Sequence, residues 1–166
     1  MAKQLLIIRH AKAEDADFKK SDFKRSLSHR GEKNALEMAK RLLKKDLHPE
    51  LLVSSPALRA ITTARYFADE LGIVQSEIVQ DPEIYDALTY DLLDCINKLD
   101  DQADFIALFG HNPAITQVVN LLCGKNIFHI PTCGMALMQF PYDSWKMLTE
   151  GTGELIFLDF PAKEEI

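Results

Sequence analysis

Arg9 and His10 are the first residues able to do chemistry together, and they stand directly behind an apolar run, Leu5-Leu6-Ile7-Ile8. A guanidinium presents a planar fork of donors that matches a phosphate. A neutral imidazole nitrogen is a competent nucleophile towards phosphorus. Taken alone, the pair is better explained as a basic cap on a strand end, with His10 merely hydrogen-bonded. Its weight depends on further phosphate-binding groups reaching the same edge, and two arrive in the same setting. Arg59 follows Leu51-Leu52-Val53-Ser54-Ser55-Pro56, and His111 follows Phe105-Ile106-Ala107-Leu108-Phe109-Gly110. Arg59 falls in the first turn of a helix, where a cation opposes the helix dipole, so it calls for an anionic partner.

The elements that position these residues follow from the hydrophobic pattern. The short apolar runs at 5–8, 51–53 and 105–109 suit buried strands of a parallel sheet. In such sheets ligands gather beyond the carboxyl ends of the strands. Helical spacing appears at 29–45 behind Ser28 as N-cap, and again at 90–99. Ser55-Pro56 and Asn112-Pro113 each predict an N-cap followed by a first helical proline, with Gly72 and Gly124 as the stops. Segment 73–79 reads as extended. Segments 136–140, 145–148 and 155–158 read as antiparallel strands closing one side of the sheet. The polar stretch 12–26, which carries Arg25, reads as a long loop at the mouth of the site. No apolar strand precedes Asp15-Ala16-Asp17, which argues against an aspartyl-phosphate nucleophile.

The whole chain sets bounds. A length of 166 residues predicts one domain, 1–166. With 47% hydrophobic and 27% charged residues it has the make-up of a soluble globular protein. The net charge of −6 argues against nucleic acid or an anionic membrane as partner, but leaves room for a local basic pocket. No apolar run approaches the roughly 18 residues of a membrane span, and residues 1–8 are too short for a secretory signal peptide. Three cysteines without a CxxC pair suit a reduced, cytoplasmic setting. Six positions after Cys95, Cys123 and Cys133 stand Asp101, His129 and Gln139, not the arginine of a cysteine-based phosphatase. Gly124-Lys125 runs into Asn126, which breaks a P-loop. The five histidines are scattered, unlike the clustered ligands of a metal hydrolase.

Four motifs in order, Ile7-Ile8-Arg9-His10-Ala11-Lys12-Ala13, Ser26-Leu27-Ser28-His29-Arg30-Gly31, Ser54-Ser55-Pro56-Ala57-Leu58-Arg59-Ala60 and Gly110-His111-Asn112-Pro113, resemble the histidine phosphatase (phosphoglycerate mutase-like) superfamily. The likeness is in particular to its short SixA-type phosphohistidine phosphatases. Ala11 stands where the family's Arg-His-Gly motif has glycine, as SixA-like members commonly show. The insertions that build a substrate cap in mutases are lacking, which implies an open site. The resemblance implies a three-layer α/β/α sandwich around a mostly parallel sheet. It implies His10 as the phosphorylated nucleophile, with Arg9, Arg59 and His111 holding the phosphoryl group and no metal or organic cofactor. Related enzymes often protonate the leaving oxygen with a carboxylate, and Glu83 is the candidate here. Arg25 and Asn112 are expected to bind substrate. The expected substrate is a phosphohistidine-bearing protein. The alternatives are a small phosphomonoester, handled with broad specificity, or phosphoprotein binding without turnover.

Overall fold

The computed structural model describes residues 2–162. Its centre is a six-stranded sheet in the order β3-β2-β4-β1-β5-β6. Strands β1 (Lys3–Arg9), β2 (Leu51–Ser54), β3 (Val79–Gln80) and β4 (Phe105–Gly110) run parallel. Strands β5 (Met135–Phe140) and β6 (Glu154–Asp159) add antiparallel at one edge. Alternate residues of the central strands point to opposite faces, as the pleat requires. Leu5, Ile7, Ile106 and Leu108 pack under α3 (Thr89–Asn97) and α4 (Ala114–Cys123). Leu6, Ile8, Ala107 and Phe109 pack under α1 (His29–Lys44) and α2 (Leu58–Leu71). Both faces of the sheet are therefore covered, which is why the strands read as unbroken apolar runs. The result is the expected three-layer α/β/α sandwich. No helix among the described residues is long and apolar enough to cross a membrane.

Register brings the strand ends together. Arg9 lies opposite Gly110, and Ser54 opposite Phe109. The chain stays paired just beyond the strands, where His10 N–H donates to the Gly110 carbonyl (3.2 Å) and Ser55 N–H to that of Phe109 (3.0 Å). The residues that follow β1, β2 and β4 are thus neighbours at one edge.

Several boundaries differ from the sequence reading. Helix α2 starts at Leu58 rather than Pro56, with Ala57 as an N-cap that lends no side chain. The Ser55 hydroxyl does accept from Ala57 N–H (3.2 Å), but its other contact lies in the site. Helix α4 starts at Ala114 after Pro113. Asn112 does not cap it, because its amide donates to the Ile130 carbonyl (2.9 Å) and its oxygen accepts from the Thr116 hydroxyl (2.7 Å). Segment 73–79 holds a 3₁₀ turn, Gln75–Glu77, before β3. The strand expected at 145–148 is a 3₁₀ turn, Trp145–Met147. Its apolar content reflects the burial of Trp145, whose indole N–H reaches the carbonyls of Asp100 and Ala103.

Helix α1 follows its prediction. The Ser28 hydroxyl caps it by accepting from Gly31 N–H (3.0 Å), and Ser28 in turn holds the Lys12 carbonyl through its own N–H (2.9 Å) and hydroxyl (3.1 Å). That carbonyl oxygen lies 2.0 Å from where a Cβ on Gly31 would stand. Gly31→Ala is therefore expected to destabilise the fold by about 1–3 kcal/mol, the usual cost of overpacking. Urea unfolding would record it as a lower midpoint with an unchanged slope.

Candidate active site

A cavity of about 310 Å³ opens at the shared edge of β1, β2 and β4, and Arg9, His10, Arg59, His111, Arg25 and Asn112 all line it, with Lys12 beside them. Six of the seven residues singled out from sequence are thus brought to one place. Four cations line the cavity and no carboxylate does, so a chain with a net charge of −6 carries a local site for an anion.

His10 is buried, and its Nδ1 lies 2.7 Å from the Ala11 carbonyl oxygen. A carbonyl can only accept, so the proton sits on Nδ1 and the lone pair on Nε2. Burial lowers the His10 pKa to about 3, and the charges of His111, Arg59 and Arg9 push it the same way. The ring is neutral at ordinary pH. His111 packs beside it with ring centroids 5.2 Å apart, and burial lowers its pKa to about 4.

Arg59 projects from the first turn of α2 and is almost wholly buried. The anionic partner that its position calls for is Asp22. Arg59 donates to the Asp22 backbone carbonyl (2.8 Å) and to its Oδ2 (3.0 Å). The Tyr85 hydroxyl donates to the same oxygen (2.7 Å), and Arg25 donates to Oδ1 (3.0 Å). Asp22 therefore holds two cavity arginines at once, from behind the cavity wall. The bond from Tyr85, then Arg59, lowers its pKa to about 2, against some desolvation. Arg9 donates to the Ile130 carbonyl (3.0 Å), the oxygen that Asn112 also engages. The side-chain nitrogens Arg9 Nε, Arg59 Nε and His111 Nδ1 are buried with no partner within the protein. Buried donors are normally satisfied, and here the orphans belong to three residues of one cavity.

Glu83 is not brought to this place. It lies in the 3₁₀ turn Pro82–Ile84, where Ile84 turns into the core and Glu83 faces solvent. It borders a separate hollow with Asp86, Asp91 and Lys98, and its nearest ligand-type neighbours are Asp81 and Cys95. Glu83→Gln is expected to leave the turnover of both phosphoesters and phosphohistidine within twofold of wild type, the span of a small surface effect of roughly 0.5 kcal/mol. A selective loss on esters, measured in steady state, would restore it as an acid.

Sequence reasoning missed Asp22, Tyr85, Ser55 and Thr63. The Thr63 hydroxyl accepts from Ala11 N–H (3.0 Å) and donates to the Arg59 carbonyl (2.8 Å), tying the β1 exit to α2. Arg30 borders a neighbouring hollow with His129 and Pro131 rather than this cavity.

The family model for the histidine phosphatase superfamily (branch 1) matches residues 5–89, more than half of the chain. The chain belongs to this superfamily. Among solved structures, this histidine phosphatase superposes on a protein from Agrobacterium tumefaciens assigned as the phosphohistidine phosphatase SixA. The two share 25% identity and a TM-score of 0.81, over 96% of this chain and 99% of that one. The protein histidine phosphatase SixA bound to tungstate gives 23% identity and a TM-score of 0.76, over 95% and 96% of the two chains, and shares the fold. A chloroplastic protein of Arabidopsis thaliana is 27% identical over 154 residues, 88% of this phosphatase and 70% of the plant protein.

Proposed function

We propose that this phosphatase hydrolyses phosphohistidine on a protein, through a phosphohistidine intermediate on His10. The observation that carries the reading is a cavity whose donors are all cationic or neutral, built around an imidazole with a free Nε2 lone pair. Nε2 attacks the phosphorus, the bond from phosphorus to the leaving group breaks, and water then hydrolyses the bond from phosphorus to His10. Phosphoryl transfer asks the protein mainly for position and charge neutralisation. Arg9, Arg59 and His111 supply these, with Arg25 and Asn112 on the cavity wall. A phosphoester would release an alkoxide and needs an acid at that oxygen, whereas no carboxylate lines the cavity. A phosphohistidine protonated on its other ring nitrogen releases a neutral imidazole and has no such need. Phe18 and Phe128 are fully exposed on segments next to the cavity, in hollows that share Arg25 and Arg9 with it. Exposed aromatics around a polar site suit a protein surface better than a small ester.

Rapid quench of wild type with a labelled phosphohistidine protein, and separately with a simple phosphomonoester, tests the reading. An acid-labile, alkali-stable adduct with faster turnover of the phosphoprotein is expected. Faster turnover of the ester would make the protein a broad phosphomonoesterase. Tight phosphate binding without turnover of either would make it a binding module.

A further inference from the structure

Ser55 has no place in the reading above, yet it is fully buried and in contact with His111. Its hydroxyl oxygen lies 2.8 Å from His111 Nε2 and accepts from Ala57 N–H at 3.2 Å. A hydroxyl has one proton to give. If His111 Nε2 carried a proton, Ser55 would accept twice and its own proton would be buried with no acceptor. An unmet buried donor costs about 1–3 kcal/mol. With Ser55 donating to a bare Nε2, Nδ1 is the one polar group of the pair left unmatched, whereas the other tautomer leaves both the Ser55 proton and Nδ1 unmatched. The imidazole is neutral, so its proton is then on Nδ1, which is the atom left without a partner within the protein.

We propose that Ser55 is a positioning residue that fixes His111 as the Nδ1–H tautomer, so that this ring meets the phosphoryl group as a hydrogen-bond donor. His10 and His111 then carry their protons on the same ring atom and use opposite ones. His10 offers the lone pair of Nε2 to phosphorus, while His111 offers Nδ1–H to a phosphoryl oxygen. In the other tautomer the His111 lone pair would face a phosphoryl oxygen and repel it. Tyr85 and His10 pack against the His111 ring, with centroids at 5.6 and 5.2 Å, so the ring does not need Ser55 to hold its plane. What Ser55 supplies is the proton assignment.

The role at phosphorus rests on the proposed function, but the tautomer does not, and the test separates the two. Nitrogen-15 NMR of the imidazoles in the full chain near neutral pH, with His111 assigned by loss of its signals in His111→Asn, is expected to show a protonated Nδ1 and a bare Nε2. A protonated Nε2 in wild type overturns the proposal whatever the activity. Ser55→Ala is expected to move His111 towards the Nε2–H form or a mixture. It should also lower kcat on the order of 10- to 100-fold, by analogy with the loss of groups that orient metal-bound imidazoles, with a smaller change in KM. An unchanged tautomer or an unchanged kcat in Ser55→Ala overturns the role of Ser55. Absence of turnover in wild type would count against the phosphatase reading instead, while the wild-type spectrum would still decide the tautomer.

Discussion

His10→Ala is expected to remove the covalent phosphoenzyme entirely and to lower turnover by about 10⁵–10⁶-fold, the scale on which loss of a catalytic nucleophile is felt. The cavity arginines would remain, so the variant is expected still to bind inorganic phosphate. Loss of labelling with binding preserved separates a nucleophile from a merely structural histidine; substantial turnover in His10→Ala would remove His10 from the chemistry. The environment of the ring adds a second signature. An ordinary histidine titrates near pH ~6.5, whereas the His10 pKa is lowered to about 3 by burial and nearby cations. The acid limb of kcat/KM should therefore lie well below pH 6.5. A fall centred on the ordinary value would mean that His10 is more solvated than its burial implies.

The same two histidines give stability a pH dependence of known sign. His10 and His111 are neutral when folded, with pKa values lowered to about 3 and about 4. In the unfolded chain they take up protons as pH falls past about 6.5, and the folded protein does not follow. Their contribution is complete above that value and is lost as pH falls towards 4 and then 3. Asp22, lowered to about 2, acts in a lower window: its contribution is present above its ordinary value and lost as pH falls through about 2.

The parts of the site carried by β1 and β4 were legible because a parallel strand and the residue behind it are local facts. Four apolar residues ending in Arg9-His10, or five ending in Gly110-His111, fix both the element and the edge at which the side chains emerge. Helix α1 was legible for a similar reason, since Ser28 caps it within one turn. Asp22 was not. It lies 37 residues from Arg59 and 63 from Tyr85 along the chain, in a polar loop where Asp15 and Asp17 look equally suitable. No periodicity distinguishes a loop carboxylate that meets an arginine from one that meets water. Glu83 shows the converse: the resemblance to related enzymes made it the candidate acid, but Asp81 accepts from its backbone N–H (3.0 Å) and closes a turn that faces it outwards. Ser55 and Asn112 were read as helix caps from their neighbouring prolines. Their side chains are instead engaged by His111 and Ile130, and those tertiary partners outweigh the local capping preference.

Arg59→Ala is expected to lower kcat by about 10²–10³-fold, the loss typical of removing one preorganised donor from a transition state. The loss should exceed any effect on stability, because the residue sits in the first turn of α2 with its guanidinium turned towards the cavity wall rather than the core. Arg59→Lys should recover only part of it, since a lysine keeps the charge but not the fork that meets Asp22 and the cavity at once. Asp22 makes the assignment testable by coupling. Its carboxylate is half exposed and does not line the cavity, so its effect on phosphoryl transfer must pass through the arginines it holds. Asp22→Ala should be damaging in wild type, though less than Arg59→Ala, and should cost little more once Arg59 is alanine. Strict additivity of the two substitutions would mean that Asp22 acts independently of Arg59. A near-normal rate in Arg59→Ala would remove this arginine from the transition state, leaving Arg9 and Arg25 to carry the charge. The expected coupling instead makes the ion pair one functional unit, in which Asp22 engages both terminal nitrogens of Arg59 and holds its guanidinium in place.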